Sequence, residues 1–221
     1  MFDAVIFDWD GTLADTRFAV VTAFQKVLKE MGCNVTDEFV ERRIGIGTKR
    51  TLVGALQARN KPFTDRGIKE LVKKKTKVQV RLTHTVRLFE GAASLLESLQ
   101  GKTKVALASM SSREVINRLL DEKGVRRYFH VVVTADDVIH PKPNPEAFLK
   151  CADYLRCPPD KCVVVEDSIF GVKAAKQAGM RCIAIPTGAY SKEELGGKYP
   201  DLIVSSVRET ETILDFILKP H

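Results

Sequence analysis

Two carboxylates, Asp8 and Asp10, stand two residues apart directly after the apolar run Ala4-Val5-Ile6-Phe7, and Gly11 follows them. The run is short, β-prone and uninterrupted, which suits a buried strand of a parallel sheet. Such sheets place ligands beyond the carboxyl ends of their strands. Side chains two apart on an extended chain share a face, so both acids can point into one crevice. Adjacent carboxylates repel unless a cation sits between them or one keeps its proton. The pair therefore points to metal-assisted or acid–base chemistry.

Other polar residues recur in the same setting. Ser109 follows the run Lys104–Ala108, and Lys142 lies in the loop after His130–Val133. Glu166 and Asp167 follow Cys162–Val165. Each has a plain structural reading on its own: Asp10-Gly11 as a turn, Ser109 and Asp167-Ser168 as helix caps, Lys142 as a surface lysine. Four successive strand ends delivering acid, hydroxyl, ammonium and acid make a more specific pattern. Carboxylates, a lysine and a hydroxyl at one crevice suit a Mg²⁺-assisted phosphate site, because Mg²⁺ takes oxygen ligands and shares them with phosphate.

The elements that must position these groups are legible from periodicity. Val20, Val21, Phe24, Val27, Leu28 and Met31 form one apolar stripe over 16–31, which Gly32 closes. Helices are predicted over 37–43, 48–59 and 64–82. After Gly91 helix and strand alternate: helices over 92–99, 112–123, 145–155, 168–178 and 209–218, with strands over 104–108, 130–133, 162–165, 181–185 and 202–204. The reading is an α/β protein with a doubly wound, mostly parallel sheet. Its core takes residues 1–14 and 88–221, and residues 15–87 form an inserted α-helical cap.

Composition sets the remaining bounds. The chain has 221 residues, 44% of them apolar, enough for a large core. No apolar run approaches the ~20 residues that span a bilayer, and no targeting segment is evident, so a cytoplasmic protein is expected. Five cysteines without a C-x-x-C read as reduced thiols in the core. The four histidines show no ligand-like spacing. The net charge of +7 is concentrated between Arg66 and Arg87, around Lys73-Lys74-Lys75, Lys77 and Arg81. With no nucleic-acid motif beside it, the run reads as a solvated helix face rather than a nucleic-acid surface.

Asp8-Trp9-Asp10-Gly11-Thr12-Leu13-Ala14-Asp15 resembles the signature D-x-D-G-T-x-x-D of the haloacid dehalogenase superfamily. Ala108-Ser109, Lys142-Pro143-Asn144-Pro145 and Glu166-Asp167-Ser168-Ile169-Phe170-Gly171 resemble its later motifs, in order. The resemblance runs over essentially the whole chain, and the insert matches the helical-cap branch with its Rossmann-like core. It implies that Asp8 attacks phosphorus to give an aspartyl-phosphate. Asp10 would protonate the leaving oxygen and then deprotonate water, which calls for a pKa raised towards neutrality. The Asp8 side chain, the Asp10 carbonyl and the Asp167 carboxylate would hold Mg²⁺, with Glu166 in support. Ser109 and the amides near Gly11 and Thr12 would bind phosphoryl oxygens, and Lys142 would balance the charge of Asp8 and phosphate. Asp15 is open between a helix cap and a site-organising role.

The acid at position 10 argues against a dehalogenase, since carbon–halogen cleavage needs no leaving-group proton. Cap residue Lys49 stands in a context unlike that of the Schiff-base lysine of phosphonate hydrolases. Two readings stay close: a phosphatase of a small phosphorylated metabolite, such as phosphoglycolate or a sugar phosphate, and a β-phosphoglucomutase-like transferase. Such mutases carry a cap-side histidine on the helix after the first motif, and 16–31 has none, which favours the phosphatase. A non-catalytic basic interaction protein is the third reading. Arg50 or Lys49, after the turn Gly45-Ile46-Gly47, is expected to reach substrate, against the alternative of a solvated face. The linker Val86-Arg87-Leu88-Phe89-Glu90 lacks the proline common in the family, which leaves the return hinge open. A monomer or homodimer is expected, with no specific nucleic-acid and no membrane partner.

Overall fold

The computed structural model describes residues 1–219. In chain order the elements are β1 (Ala4–Phe7), β2 (Ala14–Asp15), α1 (Arg17–Lys29), α2 (Asp37–Glu41), α3 (Thr48–Ala58), α4 (Asp65–Arg81), β3 (Arg87–Leu88) and α5 (Ala92–Ser98). They continue as β4 (Lys104–Ala108), α6 (Arg113–Glu122), β5 (Val131–Val133), α7 (Glu146–Leu155), β6 (Cys162–Glu166), α8 (Ile169–Gln177), β7 (Arg181–Ala184), α9 (Lys192–Gly196), β8 (Leu202–Ile203) and α10 (Thr210–Leu218).

Six strands form one sheet in the order β5-β4-β1-β6-β7-β8, every pairing parallel. The chain winds outward from β1 through β4 to β5, then returns to the other side of β1 at β6. That reversal opens a crevice beyond the carboxyl end of β1, the place where such sheets bind ligands. Alternation within the four buried residues of β1 divides the core. Val5 and Phe7 join α5, α6 and α10 on one face, while Ala4 and Ile6 join α7, α8 and Leu195 of α9 on the other. Burial on both faces is why the strand reads as unbroken apolar sequence.

From Arg17 to Arg81 the regular structure is helical only, with its own core of Val20, Phe24, Val27, Leu28, Leu52, Leu56, Ile68 and Leu71. Met31, counted from sequence in the α1 stripe, is 39% exposed, because the helix stops at Lys29 and the turn at Gly32 (φ +60°) carries the chain away. The sequence also lacked any signal for β2 and β3. These two-residue strands pair antiparallel, Ala14 with Leu88 and Asp15 with Arg87, where the chain leaves and rejoins the sheet. They are too short to show a period, and each exists only because the other is beside it. Short α9 was likewise unforeseen, although Ser191 and Glu194 form a capping box at its start.

Candidate active site

The end of β1 delivers Asp8 and Asp10 into the crevice, both buried. The Asp8 amide donates to Val165 O at 3.0 Å, which prolongs the β1–β6 ladder and fixes where the first acid points. The chain then turns at Gly11, whose φ of +88° suits glycine. A side chain there is also excluded by contact, since a Cβ would lie 2.3 Å from Asp167 Oδ2.

Lys142 is the hub. Fully buried, it donates to Asp8 Oδ1 at 2.5 Å, to Glu166 Oε1 at 2.7 Å and to Ala108 O at 3.1 Å. Burial works against its charge, but Asp8 and Glu166 overcome that and hold its pKa above the ordinary lysine value. One ammonium does not neutralise the whole cluster. Burial, then Glu166 and Asp10, push Asp8 well above the ordinary carboxylate range, with Lys142 opposing. Burial, Glu166 and Asp8 do the same to Asp167. The crevice carries surplus negative charge and favours a cation.

Asp167 accepts a hydrogen bond from Thr12 Oγ1 at 3.1 Å and packs against Gly188, where an added Cβ would fall 1.8 Å from Oδ2. Glu166 is spoken for on both oxygens: Oε1 takes Lys142, and Oε2 accepts from the amides of Asp167 (2.9 Å) and Ser168 (2.8 Å) and from Ser168 Oγ (3.0 Å). This makes Glu166 an anchor of the site, not an open metal ligand. Among the described residues no three His, Cys, Asp or Glu side chains form a ready metal cage. A donor set of two carboxylates (Asp8, Asp167) and the Asp10 carbonyl is consistent with that, and its oxygen chemistry fits Mg²⁺.

Asp10 is held on one side only. Its Oδ2 accepts from Ser109 Oγ (3.1 Å) and Ser111 Oγ (3.0 Å), while its buried Oδ1 has no hydrogen-bond partner. Such an atom is costly unless a ligand group meets it. Ser111 was not singled out from sequence, yet it lies two residues beyond Ser109, a spacing that could have flagged it. The amides of Gly11 and Thr12, expected to face a phosphoryl oxygen, are turned inward instead. Gly11 donates to Ala14 O at 2.9 Å and Thr12 to Trp9 O at 3.3 Å, because the tight turn into β2 consumes them.

Two expectations concern the inserted helices. Lys49 and Arg50 are exposed, Lys49 is paired with Asp65 at 3.6 Å, and both line an outer cavity instead of the carboxylate cluster. The lysine that borders the same space as Asp10 is Lys75, on α4. The basic run was read as a solvated face, and Lys73, Lys74, Lys77 and Arg81 are exposed, but Lys75 is only 3% exposed. Its ammonium donates to Gln79 Oε1 at 2.5 Å and lies 4.7 Å from the centre of the Phe24 ring. Burial lowers its pKa to about 8, with Asp10 opposing the shift. The signal was present: Lys75 and Gln79 continue the buried positions Ile68 and Leu71 at helical spacing.

The space on this side is narrow. Asp10, Phe24, Thr51, Lys75 and Ser111 border a space of about 20 Å³, room for a water and little more. Arg42, just after α2, bonds to Glu194 of α9 at 2.5 Å, and Tyr190 Oη donates to Arg42 O at 2.6 Å.

Comparison with known proteins agrees with this geometry. Residues 5–185 match the family model described as haloacid dehalogenase-like hydrolase. The chain is 31% identical to the fructose-1-phosphate phosphatase of Escherichia coli, over 83% of this chain and 96% of that one. It is 34% identical to a phosphorylated carbohydrates phosphatase of Thermotoga maritima, over 82% and 83% of the two chains. Among solved structures, β-phosphoglucomutase from Clostridium difficile superimposes with a TM-score of 0.86 at 27% identity, covering 99% of this chain and 100% of that one. Sequence, sheet order and site all place this chain in the haloacid dehalogenase-like hydrolase family.

Proposed function

We propose that this chain is a Mg²⁺-dependent phosphatase that hydrolyses a small phosphorylated metabolite through an aspartyl-phosphate. The observation that carries the reading is the division of labour between two neighbouring acids. Asp8 has an ammonium at 2.5 Å, and Asp10 has two hydroxyls on one oxygen and nothing on the other.

In the first step an Asp8 oxygen attacks phosphorus, the bond from phosphorus to the ester oxygen breaks, and that oxygen leaves with its electron pair. Asp10 Oδ1 delivers the proton it needs, and Ser109 and Ser111 keep the carboxyl aimed while it does so. In the second step Asp10 takes a proton from water as the water oxygen attacks phosphorus, which frees Asp8 and inorganic phosphate. Lys142 offsets the negative charge shared by Asp8 and the phosphoryl group throughout. Mg²⁺, held by Asp8, Asp167 and the Asp10 carbonyl, would neutralise charge on the phosphoryl oxygens. Residues 15–87 act as a cap that opens to admit substrate and closes to exclude water, flexing at the β2–β3 ribbon. Five free, buried thiols support a cytoplasmic setting. No helix of the described residues is long and apolar enough to cross a membrane.

The phosphatases among its relatives support hydrolysis of sugar phosphates or similar esters. The likeness to β-phosphoglucomutase keeps phosphoryl transfer to a sugar as the second reading, although α1 holds no histidine. Mg²⁺-dependent phosphate release from p-nitrophenyl phosphate, lost in a folded Asp8→Asn variant, is the expected result. Turnover retained in that variant overturns the nucleophile assignment. Interconversion of β-glucose 1-phosphate without phosphate release would replace hydrolysis by transfer.

A further inference from the structure

Beside the crevice, residues of α3 and α4 and of the sheet-bearing core border a half-open cavity of about 540 Å³. Its walls are Val53 and Val72 from the cap and Met110, Val138, Ile139 and Pro141 from the core. The two spaces share Gly47, Thr48 and Met110, so they are consecutive compartments. The inner one is water-sized, bordered by Asp10, Lys75 and Ser111 and by Val20, Phe24 and Ile44. The outer one falls in the size range of ligand sites, which are mostly apolar with a few polar groups. A molecule whose phosphorus stands at Asp8 can extend past Lys75 and Thr48 into this cavity, whereas the other space bordering Asp10 and Asp167, walled by Thr187, Gly188, Ala189 and Tyr190, has room for about one water.

The lining restricts what can lie there. Its charged members are Lys49, Arg50 and Asp136. Lys49 is paired with Asp65, and Asp136 accepts the Arg113 amide at 2.7 Å. The hydroxyls of Thr48, Thr76 and Ser112 are the other side-chain polar groups. Thr76 already reaches Ser112 Oγ at 3.5 Å. A fully hydroxylated sugar would set hydroxyls against Val53 and Val72, where Thr48, Thr76, Ser112 and Arg50 are the nearest side-chain partners, and each hydroxyl buried without one costs roughly a tenfold loss of affinity. An apolar chain or ring loses nothing there and gains from leaving water.

Resting on the phosphatase reading, we infer that the substrate is the phosphate monoester of an alcohol with an extended apolar portion, which this cavity holds while the phosphate is at Asp8. The n-alkyl series from ethyl to octyl tests this, because the leaving-group chemistry is constant and only apolar length changes. Binding of the non-hydrolysable n-alkylphosphonates is measured by calorimetry with Mg²⁺, and hydrolysis of the matching alkyl phosphates is followed alongside. Kd is expected to tighten about two- to fourfold per CH₂ up to the length that fills the cavity, with kcat/KM rising in parallel. Ile139→Asp, at a residue 82% exposed and so safe for folding, and Val72→Asp should both flatten the series. A flat series in the wild type overturns the inference, as does a slope that neither variant changes. Phosphonate binding that steepens with length while no phosphate ester is hydrolysed would support the cavity's role and sink the phosphatase reading instead.

Discussion

Replacing Lys142 by methionine tests the central electrostatic claim. The side chain is fully buried and its ammonium faces Asp8 at 2.5 Å and Glu166 at 2.7 Å. Methionine fills the stem, so little cavity forms, and the change isolates the charge. Removing one partner from a buried ion pair costs about 3–5 kcal/mol. With a urea slope of about 2.5 kcal/mol per molar, the unfolding midpoint should fall by about 1–2 M. The pH dependence has a definite sign. Asp8 and Asp167 both have folded pKa values raised above their ordinary 3.8. Each therefore contributes stability at low pH that is lost as pH rises through its folded value. Loss of the ammonium raises both further, so the deficit of Lys142→Met should widen from pH 5 to pH 8. Added Mg²⁺ should narrow it by supplying charge. Urea titrations monitored by circular dichroism, with and without Mg²⁺, read all of this. A midpoint within about 0.4 M of wild type at pH 8 without metal, or an equal deficit at both pH values, refutes the reasoning.

Further outcomes follow from individual contacts. Gly188→Ala places a Cβ 1.8 Å from Asp167 Oδ2, so Mg²⁺ affinity measured by calorimetry should drop tenfold or more; unchanged affinity would remove Asp167 from the metal set. Lys75, with its pKa lowered to about 8, loses charge above that pH, and wild-type kcat/KM should decline there. Lys75→Met should lack that alkaline limb. Because burial disfavours its protonated form, the methionine variant should also unfold no more easily than wild type at pH 7, and a large loss of stability would contradict the assignment. Arg42→Ala removes a half-exposed ion pair to Glu194 worth less than about 1 kcal/mol. Its thermal midpoint should hardly move while KM rises severalfold as the cap closes less firmly, and an unaltered KM would exclude Arg42 from closure. Arg50→Ala, on the rim of the outer cavity, should change kcat/KM less than Lys75→Met does; the reverse order would put Arg50 ahead of Lys75 in holding substrate.

The sequence by itself marked where the candidate site stands. Val5, Ile6 and Phe7 lie in a strand covered on both faces, and that burial leaves a local mark, an unbroken apolar run ending at Asp8. The same holds for the runs before Ser109 and Glu166, and for the cap helices with their periodic stripes. Tertiary structure decided what touches what. Lys142 joins Asp8 and Glu166 across 134 and 24 residues of chain. The β2–β3 ribbon exists only as a pair. Lys75 and the solvated lysines beside it are the same residue type, and only the packing of α4 against α1 and its Phe24 separates them. The Gly11 and Thr12 amides were consumed by their own turn, which spacing alone does not reveal. Local patterns record whether a position is covered. They do not record which distant group covers it, and here those distant groups decide charge, proton affinity and the shape of the cavity.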